Sequence, residues 1–334
     1  MGLKSVVAAR ASVITAVMIF LLSFILLYLP SLVISYATIV YEQIVSGNIL
    51  IYFWEIGTIE VKQFTKYFRG HVMSVVRYTF FSEALREQVN VMVILPSFEG
   101  WRDRQGSKAY YGEYGRKKTL YIMHGGSDDC SLYLRRTRIE EYAMEHDLAV
   151  VMPEVKNSFY SNMVHGKNYF TYISEELPRV MESVFPLTHD PKERFVIGNS
   201  MGSHGAIKWA LNCPGFFAAA AGMSGAGDLE ELGFYDGHKE RVLNSFGTIE
   251  QYRGSMNDFK YMVNKHLEEG TKLPRLYFCC GKQDGFYKGA KFFADFVKEK
   301  GLETCFCESD GQHNWEYWDE WLPVMIRYCV KGEA

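Results

Sequence analysis

The sequence predicts an α/β protein built on a mostly parallel sheet with helices on both faces. From about residue 73 onward, short apolar runs alternate with helix-length amphipathic stretches, and this alternation is typical of doubly wound α/β proteins. Most of the runs are almost continuously hydrophobic, as expected of parallel strands that are covered on both faces. Binding sites in such sheets lie at the carboxyl ends of the strands, so we expect the functional residues there.

The individual elements follow from the same alternation. The runs predicted to be strands are VNVMVILP (89–96), TLYIMH (119–124), LAVVMP (148–153), RFVIGNS (194–200), FFAAAAGMS (216–224), RLYFCCG (275–281) and TCFCES (304–309). The stretches predicted to be helices are 132–146, 168–184, 201–212, 287–299 and 315–330. The polar segment 225–273 interrupts the alternation between two strands. It is interpreted either as a solvated insertion over the sheet or as a cap that covers a substrate.

The composition excludes several classes of protein. Of the 334 residues, 48% are hydrophobic and 22% are charged, which is typical of a globular protein with a large core. The net charge is −3 and no Lys/Arg-rich run is present, so we expect no nucleic-acid partner. The seven cysteines lie partly inside apolar runs and are interpreted as buried core thiols.

The first 72 residues differ from the rest. Residues 11–41 carry no charge, and this run exceeds the roughly 20 residues that cross a bilayer. Lys4 and Arg10 precede it, so the chain as written is predicted to be a single-pass membrane protein with a hydrophobic N-terminal helix, membrane contact through 11–41 and a cytoplasmic N-terminus. The alternative is a cytoplasmic protein that starts at Met73. The predicted domains are accordingly an extension, 1–72, and a main domain, 73–334.

A candidate nucleophile lies in the pentapeptide Gly198-Asn199-Ser200-Met201-Gly202, which fits G-x-S-x-G. The pattern follows the predicted strand 194–200 and precedes the predicted helix 201–212. In this arrangement, which is typical of the α/β-hydrolase fold, the serine occupies a tight, strained turn and the flanking glycines make room for its neighbours. The N-terminus of the next helix also favours developing negative charge near the hydroxyl. Ser200 is therefore predicted to be the nucleophile.

A serine hydroxyl needs a base, and chain order selects it. In this fold the order is serine, acid, histidine, with the histidine after the last strand. His313 follows the predicted strand 304–309 and is the only histidine downstream of position 266, so it is the predicted base. His204 is close to Ser200 in sequence, but its side chain should project away from the hydroxyl, and a role in substrate binding is expected for it. His124 precedes two glycines and is interpreted as a residue that shapes its loop.

Two aspartates compete for the role of the acid that orients the histidine. Asp284 follows the penultimate strand, where this fold places the acid. Asp310 is nearer to His313 in sequence but lies in the same loop. The sequence therefore favours Asp284, whose task is to fix the imidazole tautomer and stabilise the imidazolium.

The donors for a tetrahedral oxyanion are predicted from the same rules. Met201, the residue after the nucleophile, gives one backbone N–H, and the loop after the strand 119–124 gives the other. Within that loop Gly126 is favoured, with Ser127 close behind, and Gly125 and Ser127 are expected to contact substrate together with His204. No two histidines stand at ligand spacing. The proposed chemistry needs no metal and no cofactor.

Five segments carry a resemblance to a known family. They read TFFSEALREQVNVMVILP, HGGSDDCSLYLRRTRIEEYA, VMPEVKNSFYSNM, GNSMGSHGAIKWAL and DGQHNWEYWDEWL. Over about residues 73–330 the chain resembles the tributyrin-esterase-like branch of the esterases, relatives of S-formylglutathione hydrolases, carbohydrate acetyl and feruloyl esterases and mycolyltransferases. The resemblance implies the same three residues, Ser200, Asp284 and His313. Ser203 stands where glycine is common and His204 where tyrosine is common, which leaves the identity of the substrate open.

The sequence as a whole predicts a serine esterase that hydrolyses short-chain acyl esters of small molecules through an acyl-enzyme. One alternative is an acyltransferase that uses the same three residues, and another is a thioester hydrolase such as an S-formylglutathione hydrolase. A catalytically idle binding module would not need every catalytic position to be filled. The oligomeric state is left open by the sequence.

Overall fold

One eight-stranded sheet organises the part of the chain that the computed structural model describes, residues 72–97, 115–225, 229 and 239–332. These residues belong to one compact unit, His71–Ala334. The strands are β1 (Val72–Ser82), β2 (Glu87–Ser97), β3 (Lys118–Met123), β4 (Leu148–Pro153), β5 (Arg194–Asn199), β6 (Ala219–Met223), β7 (Arg275–Gly281) and β8 (Thr304–Ser309). Their order is β1-β2-β4-β3-β5-β6-β7-β8. β2 runs antiparallel to β1 and β4, and the other neighbours are parallel.

Helices follow most of the parallel strands. They are α1 (Leu132–Arg136), α2 (Ile139–Glu145), α3 (Tyr169–Thr171), α4 (Leu177–Val184), α5 (Met201–Asn212), α6 (Lys239–Phe246), α7 (Ile249–Tyr252), α8 (Phe259–Glu268), α9 (Tyr287–Glu299) and α10 (Trp315–Lys331). A π-helical turn, Tyr172–Glu176, joins α3 to α4. A short 3₁₀ turn, Pro191–Glu193, precedes β5.

Successive residues of the central strands enter two different hydrophobic cores. In β3, Leu120 and Ile122 belong to one core, whereas Tyr121 and Met123 belong to the other. Since side chains alternate between the faces of a strand, the two cores lie on opposite faces of the sheet. One core takes its helical residues mainly from α5, from the α3–α4 region and from α8 and α9. The other takes them mainly from α2 and α10. The prediction of a mostly parallel α/β sheet is confirmed.

The strand β1 was not predicted from the sequence. Among the described strands it lies at the end of the sheet and pairs only with β2, from Val72 opposite Ser97 to Ser82 opposite Glu87. An edge strand leaves part of its side chains in water, and Val75 and Phe81 are 43% and 49% exposed. The segment therefore lacks the continuous apolar run that identifies the buried strands.

Two predicted helices are interrupted. The stretch 132–146 forms two helices because Thr137 is extended, with φ −135° and ψ 170°, and its hydroxyl donates to the Tyr133 carbonyl at 2.7 Å. The stretch 168–184 contains the π-helical turn described above. Both interruptions depend on local hydrogen bonding, which hydrophobic periodicity does not register.

The polar segment 225–273 contains the short helices α6, α7 and α8. Residues 226–228 and 230–238 of it lie outside the described part. The interpretations of this segment as a solvated insertion or as a cap both stay predictions.

The prediction of a single-pass membrane protein is wrong. No helix in the described ranges, 72–97, 115–225 and 239–332, is long and apolar enough to span a bilayer. The run 11–41, on which the predicted N-terminal helix and the predicted membrane contact were based, lies outside the described residues. An apolar run meets only the length requirement of a membrane span, and by itself it does not establish that a span forms.

Candidate active site

Ser200 lies at the junction of β5 and α5 with φ 53° and ψ −120°, a conformation that non-glycine residues rarely adopt. Its backbone N–H donates to the carbonyl of Met223 on the neighbouring strand at 2.9 Å. A Cβ at Gly198 would collide with the carbonyl of Gly202, and one at Gly202 would collide with the carbonyl of Met123. The two glycines therefore let strand and helix approach closely enough to hold the turn, which explains the G-x-S-x-G spacing.

The side chains of Ser200, His313 and Asp284 form one hydrogen-bonded series. The hydroxyl of Ser200 lies 2.8 Å from His313 Nε2. On the other side of the ring, His313 Nδ1 lies 2.9 Å from Asp284 Oδ2 and 3.1 Å from its Oδ1. With Asp284 ionised, Nδ1–H donates to the carboxylate and Nε2 accepts from the serine, which is the tautomer a general base requires.

The surroundings of Asp284 favour its ionised form. Burial of its side chain opposes ionisation, but hydrogen bonds from His313 and from the backbone N–H of Phe286, at 2.8 Å, outweigh it. The net effect is a pKa for the Asp284 carboxyl below its usual value. Asp310, the competing aspartate, is exposed and accepts instead from Gln283 Nε2 at 3.3 Å. The structure thus brings Asp284, rather than Asp310, to His313.

Two aromatic rings lie against the histidine, and a serine binds one of them. The ring of His313 lies 4.9 Å from that of Phe286 and meets Trp318 edge-on at 5.0 Å. The indole N–H of Trp318 donates to the Ser224 hydroxyl at 2.9 Å, and that hydroxyl also interacts favourably with the Asp284 carboxylate. Sequence reasoning missed Ser224. The one available signal was its place directly after β6, at the same carboxyl edge of the sheet as the other site residues.

The loop after β3 packs against the nucleophile turn. A Cβ at Gly125 would lie 3.6 Å from the Ser200 Cβ, and one at Gly126 would lie 4.0 Å from the Met201 Cβ. The N–H of Ser127 already donates to Asn157 Oδ1 at 2.6 Å. Gly126 and Met201 are therefore neighbours beside Ser200, whereas the Ser127 amide is engaged within the protein.

His124 fixes this loop through two hydrogen bonds to the backbone. It is 2% exposed, its Nε2 accepts from the backbone N–H of Val155 at 3.1 Å, and its Nδ1 donates to the Gly125 carbonyl at 2.8 Å. Burial lowers the pKa of His124, so the neutral ring that these two bonds require is favoured. Its contacts are those of a residue that shapes the loop.

His204 is enclosed by aromatic side chains. It is 3% exposed, its ring stacks on Phe259 at 4.5 Å, and the rings of Phe246 and Phe159 lie at 5.6 Å and 6.0 Å. Burial holds its pKa well below the usual value. A direct contact with substrate would require an opening into this cluster, and the expected binding role of His204 stays a prediction.

Comparison with known proteins places the chain in a family. Residues 82–329 match the model of the esterase family, described as "Putative esterase". An acetyl esterase of Caldicellulosiruptor saccharolyticus is 26% identical over 270 residues, which cover 78% of this chain and 99% of that protein.

Solved structures agree with this placement. The fluorophosphonate-binding serine hydrolase F of Staphylococcus aureus has a TM-score of 0.70 and 30% identity, covering 78% of this chain and 99% of that one. An S-formylglutathione hydrolase from the same organism has a TM-score of 0.68 and 31% identity, with 78% and 100% covered. The resemblance read from the sequence is confirmed: this chain belongs to the esterase family and is a carboxylic-ester hydrolase.

Proposed function

We propose that the chain is a serine esterase of α/β-hydrolase fold that hydrolyses short-chain acyl esters of small molecules. The observation that carries the proposal is the hydrogen-bonded series in which Ser200 Oγ lies 2.8 Å from His313 Nε2 and His313 Nδ1 lies 2.9 Å from Asp284 Oδ2. Nucleophile and base within hydrogen-bond reach, with the base oriented by a third group, is the arrangement that nucleophilic catalysis requires. All these residues fall within 73–334, the proposed catalytic domain.

In the proposed reaction, His313 Nε2 takes the proton of Ser200 as its oxygen attacks the ester carbonyl. The amides of Met201 and Gly126 donate to the oxyanion that forms. The imidazolium, stabilised by the Asp284 carboxylate, then returns the proton to the departing alcohol, leaving the acyl group on Ser200. Water repeats the sequence with His313 again as base. It releases the carboxylic acid and restores the serine hydroxyl.

A thioester hydrolase is the second candidate, and a specific observation favours it. The S-formylglutathione hydrolase of known structure is 31% identical and is covered along its whole length. A mouse S-formylglutathione hydrolase is 27% identical over 233 residues. The same three residues would act on a thioester. The only change in the scheme is that a thiol, rather than an alcohol, departs from the tetrahedral intermediate.

A hydrolysis panel tests the proposal and separates the candidates. Acetyl, butyryl and feruloyl esters and an acyl thioester are compared by kcat/KM on the full chain, with Ser200→Ala as the control for background hydrolysis. We expect Ser200-dependent turnover of the short acyl esters. A kcat/KM that is high only for the thioester would select the second candidate. Release of the acyl group mainly to an added alcohol, rather than to water, would indicate an acyltransferase. Activity in Ser200→Ala equal to that of wild type would disprove the mechanism.

A further inference from the structure

An arginine from the polar segment 225–273 contacts the loop after β3, which contains Gly126 and Ser127. Arg241 lies on α6, and its Nη2 is 3.4 Å from the hydroxyl of Ser127. Its Nη1 lies 3.4 Å from the position that a Cβ at Gly126 would occupy, and the Met201 Cβ lies 4.0 Å from the same point. The guanidinium therefore stands beside the two residues whose amides are proposed to bind the oxyanion.

Within the described residues, no carboxylate neutralises this guanidinium. Arg241 is exposed, and the ion pairs found among residues 72–97, 115–225 and 239–332 do not include it. A guanidinium has five N–H donors and no acceptor, and the long contact to Ser127 satisfies at most one of them. Most of its donors therefore have no partner among the described residues.

The acidic residues of the loop interact with other arginines. Asp129 pairs with Arg135 at 3.2 Å, and Asp128 is influenced by Arg135 and Arg136 on α1. Their charges are thus balanced from the α1 side of the loop. Within the described residues, neither aspartate forms an ion pair with Arg241.

Ser127 adds a second hydrogen-bond donor beside the Arg241 guanidinium, and its position is fixed. Its backbone has φ 65°, and its N–H is held by Asn157 Oδ1 at 2.6 Å. The hydroxyl beside Arg241 is therefore attached to an anchored part of the loop. A guanidinium and a hydroxyl side by side match the two oxygens of a carboxylate.

We propose that Arg241 and Ser127 form an anion subsite that recognises a carboxylate on the ester substrate. The inference rests on the proposed function and concerns the same site. It makes Arg241 a specificity-determining residue. The carboxylate belongs either to the acyl chain or to the leaving group, and the two sources share the chemistry of recognition.

Two matched pairs of esters test the inference on the full chain. For the acyl side, 4-nitrophenyl hydrogen adipate is compared with 4-nitrophenyl hexanoate, which has the same chain length without the charge. For the leaving group, 4-carboxyphenyl acetate is compared with its methyl ester. We expect wild type to prefer the charged member of one pair. Arg241→Gln should reduce that preference roughly 10-fold or more, the size expected for a charge-assisted hydrogen bond. Arg241→Glu should reverse it.

Lys272→Gln is the matched control, because Lys272 is exposed and precedes β7 at the amino edge of the sheet, opposite the site. It should leave the preference unchanged. A preference that also weakens in about 1 M salt would agree with an ionic contact. Equal selectivity of wild type and Arg241→Gln in both pairs would overturn the subsite while leaving the esterase intact. Absence of Ser200-dependent hydrolysis of the neutral esters would overturn the proposed function and this inference together.

Discussion

Trp318 donates its indole N–H to the hydroxyl of Ser224 at 2.9 Å, and both side chains are buried. Trp318 also meets the His313 ring edge-on, and the Ser224 hydroxyl interacts with the Asp284 carboxylate. The pair therefore touches both the proposed base and its orienting acid. Through it, the N-terminal part of α10 and the end of β6 fix the geometry of the histidine.

Ser224→Ala should lower kcat about 5-fold and leave KM nearly unchanged. The substitution removes one hydrogen bond, typically about 1 kcal/mol, from the support of His313. Ser224 is fully buried and does not reach substrate. Steady-state kinetics on a short acyl ester check the split between kcat and KM. Ser245→Ala is the control, since its hydroxyl is equally buried but has no hydrogen-bond partner among the described residues. An equal loss in both variants would show a general packing effect instead.

Ser200→Ala should lower kcat by several orders of magnitude. Only binding and oxyanion stabilisation would remain, which amount to about 10³–10⁴ over the uncatalysed reaction in other serine hydrolases. A fluorophosphonate should add one phosphonyl group to the wild-type protein, and peptide mass spectrometry should locate it on Ser200. A label on another residue would contradict the assignment of the nucleophile. An unfolding curve like that of wild type excludes misfolding as the cause of the lost activity.

Asp284→Asn and Asp310→Asn should differ sharply. Loss of the carboxylate at Asp284 leaves an amide that favours the wrong imidazole tautomer, and kcat should fall about 10⁴-fold. Asp310 is exposed and does not hydrogen-bond to His313, so its variant should retain most of the activity. The measurement is kcat for both variants in parallel. The reverse order of severity would move the acid role to Asp310 and leave the reaction class unchanged.

The preferred ester substrate should carry a short acyl chain. Acetyl and butyryl esters of one alcohol are expected to give a higher kcat/KM than long-chain esters, because the chain matches an acetyl esterase along 99% of that protein's length. A series of 4-nitrophenyl esters of increasing chain length measures this. A kcat/KM that rises steadily with chain length would indicate a lipase-like site covered by the segment 225–273.

Lys208 should make the free energy of unfolding depend on pH. Its amine is fully buried and donates to the Phe159 carbonyl at 2.8 Å and to the Ser161 hydroxyl, and burial holds its pKa well below the usual 10.5. Between the folded and unfolded pKa values the unfolded chain binds one proton more, so stability rises with pH across that window. In Lys208→Met this contribution is absent. The free energy of unfolding, measured with urea between about pH 6 and 9, should therefore rise less steeply with pH in the variant than in wild type. Identical slopes for the two proteins would show that Lys208 is charged in the folded protein.

The sequence predicted the buried strands because a parallel strand covered on both faces needs apolar residues at nearly every position. In both β4 and β5, all six residues of the strand are buried. The edge strand β1 has no such constraint, and Arg77 and Thr79 on it are exposed and bind the Asn90 side chain. Only alternate residues of it, such as Val76, Tyr78 and Phe80, pack against a core, so a search for continuous apolar runs does not find it.

Some residues of the candidate site could likewise be predicted from the sequence, and others could not. Ser200 and His313 were selected by motif and chain order, which are local features of the sequence, and they lie within hydrogen-bond distance. Their catalytic roles stay a proposal. Ser224 and Trp318 lie 94 residues apart, and Arg241 contacts a loop 114 residues away. Such contacts depend on how the elements pack, so no spacing rule could have identified them.

The position of β8 at the end of the sheet has a consequence for inactivation. Of the strands that the structure describes, β8 pairs only with β7, and its residues are at most partly buried, whereas β3 to β6 are almost entirely buried. Elements with few buried contacts open locally at a lower free energy than the whole domain. His313 follows this strand directly, so fraying of β8 withdraws the proposed base while Ser200 stays fixed by β5 and β6. We therefore expect mild heat or denaturant to abolish activity before the central sheet unfolds.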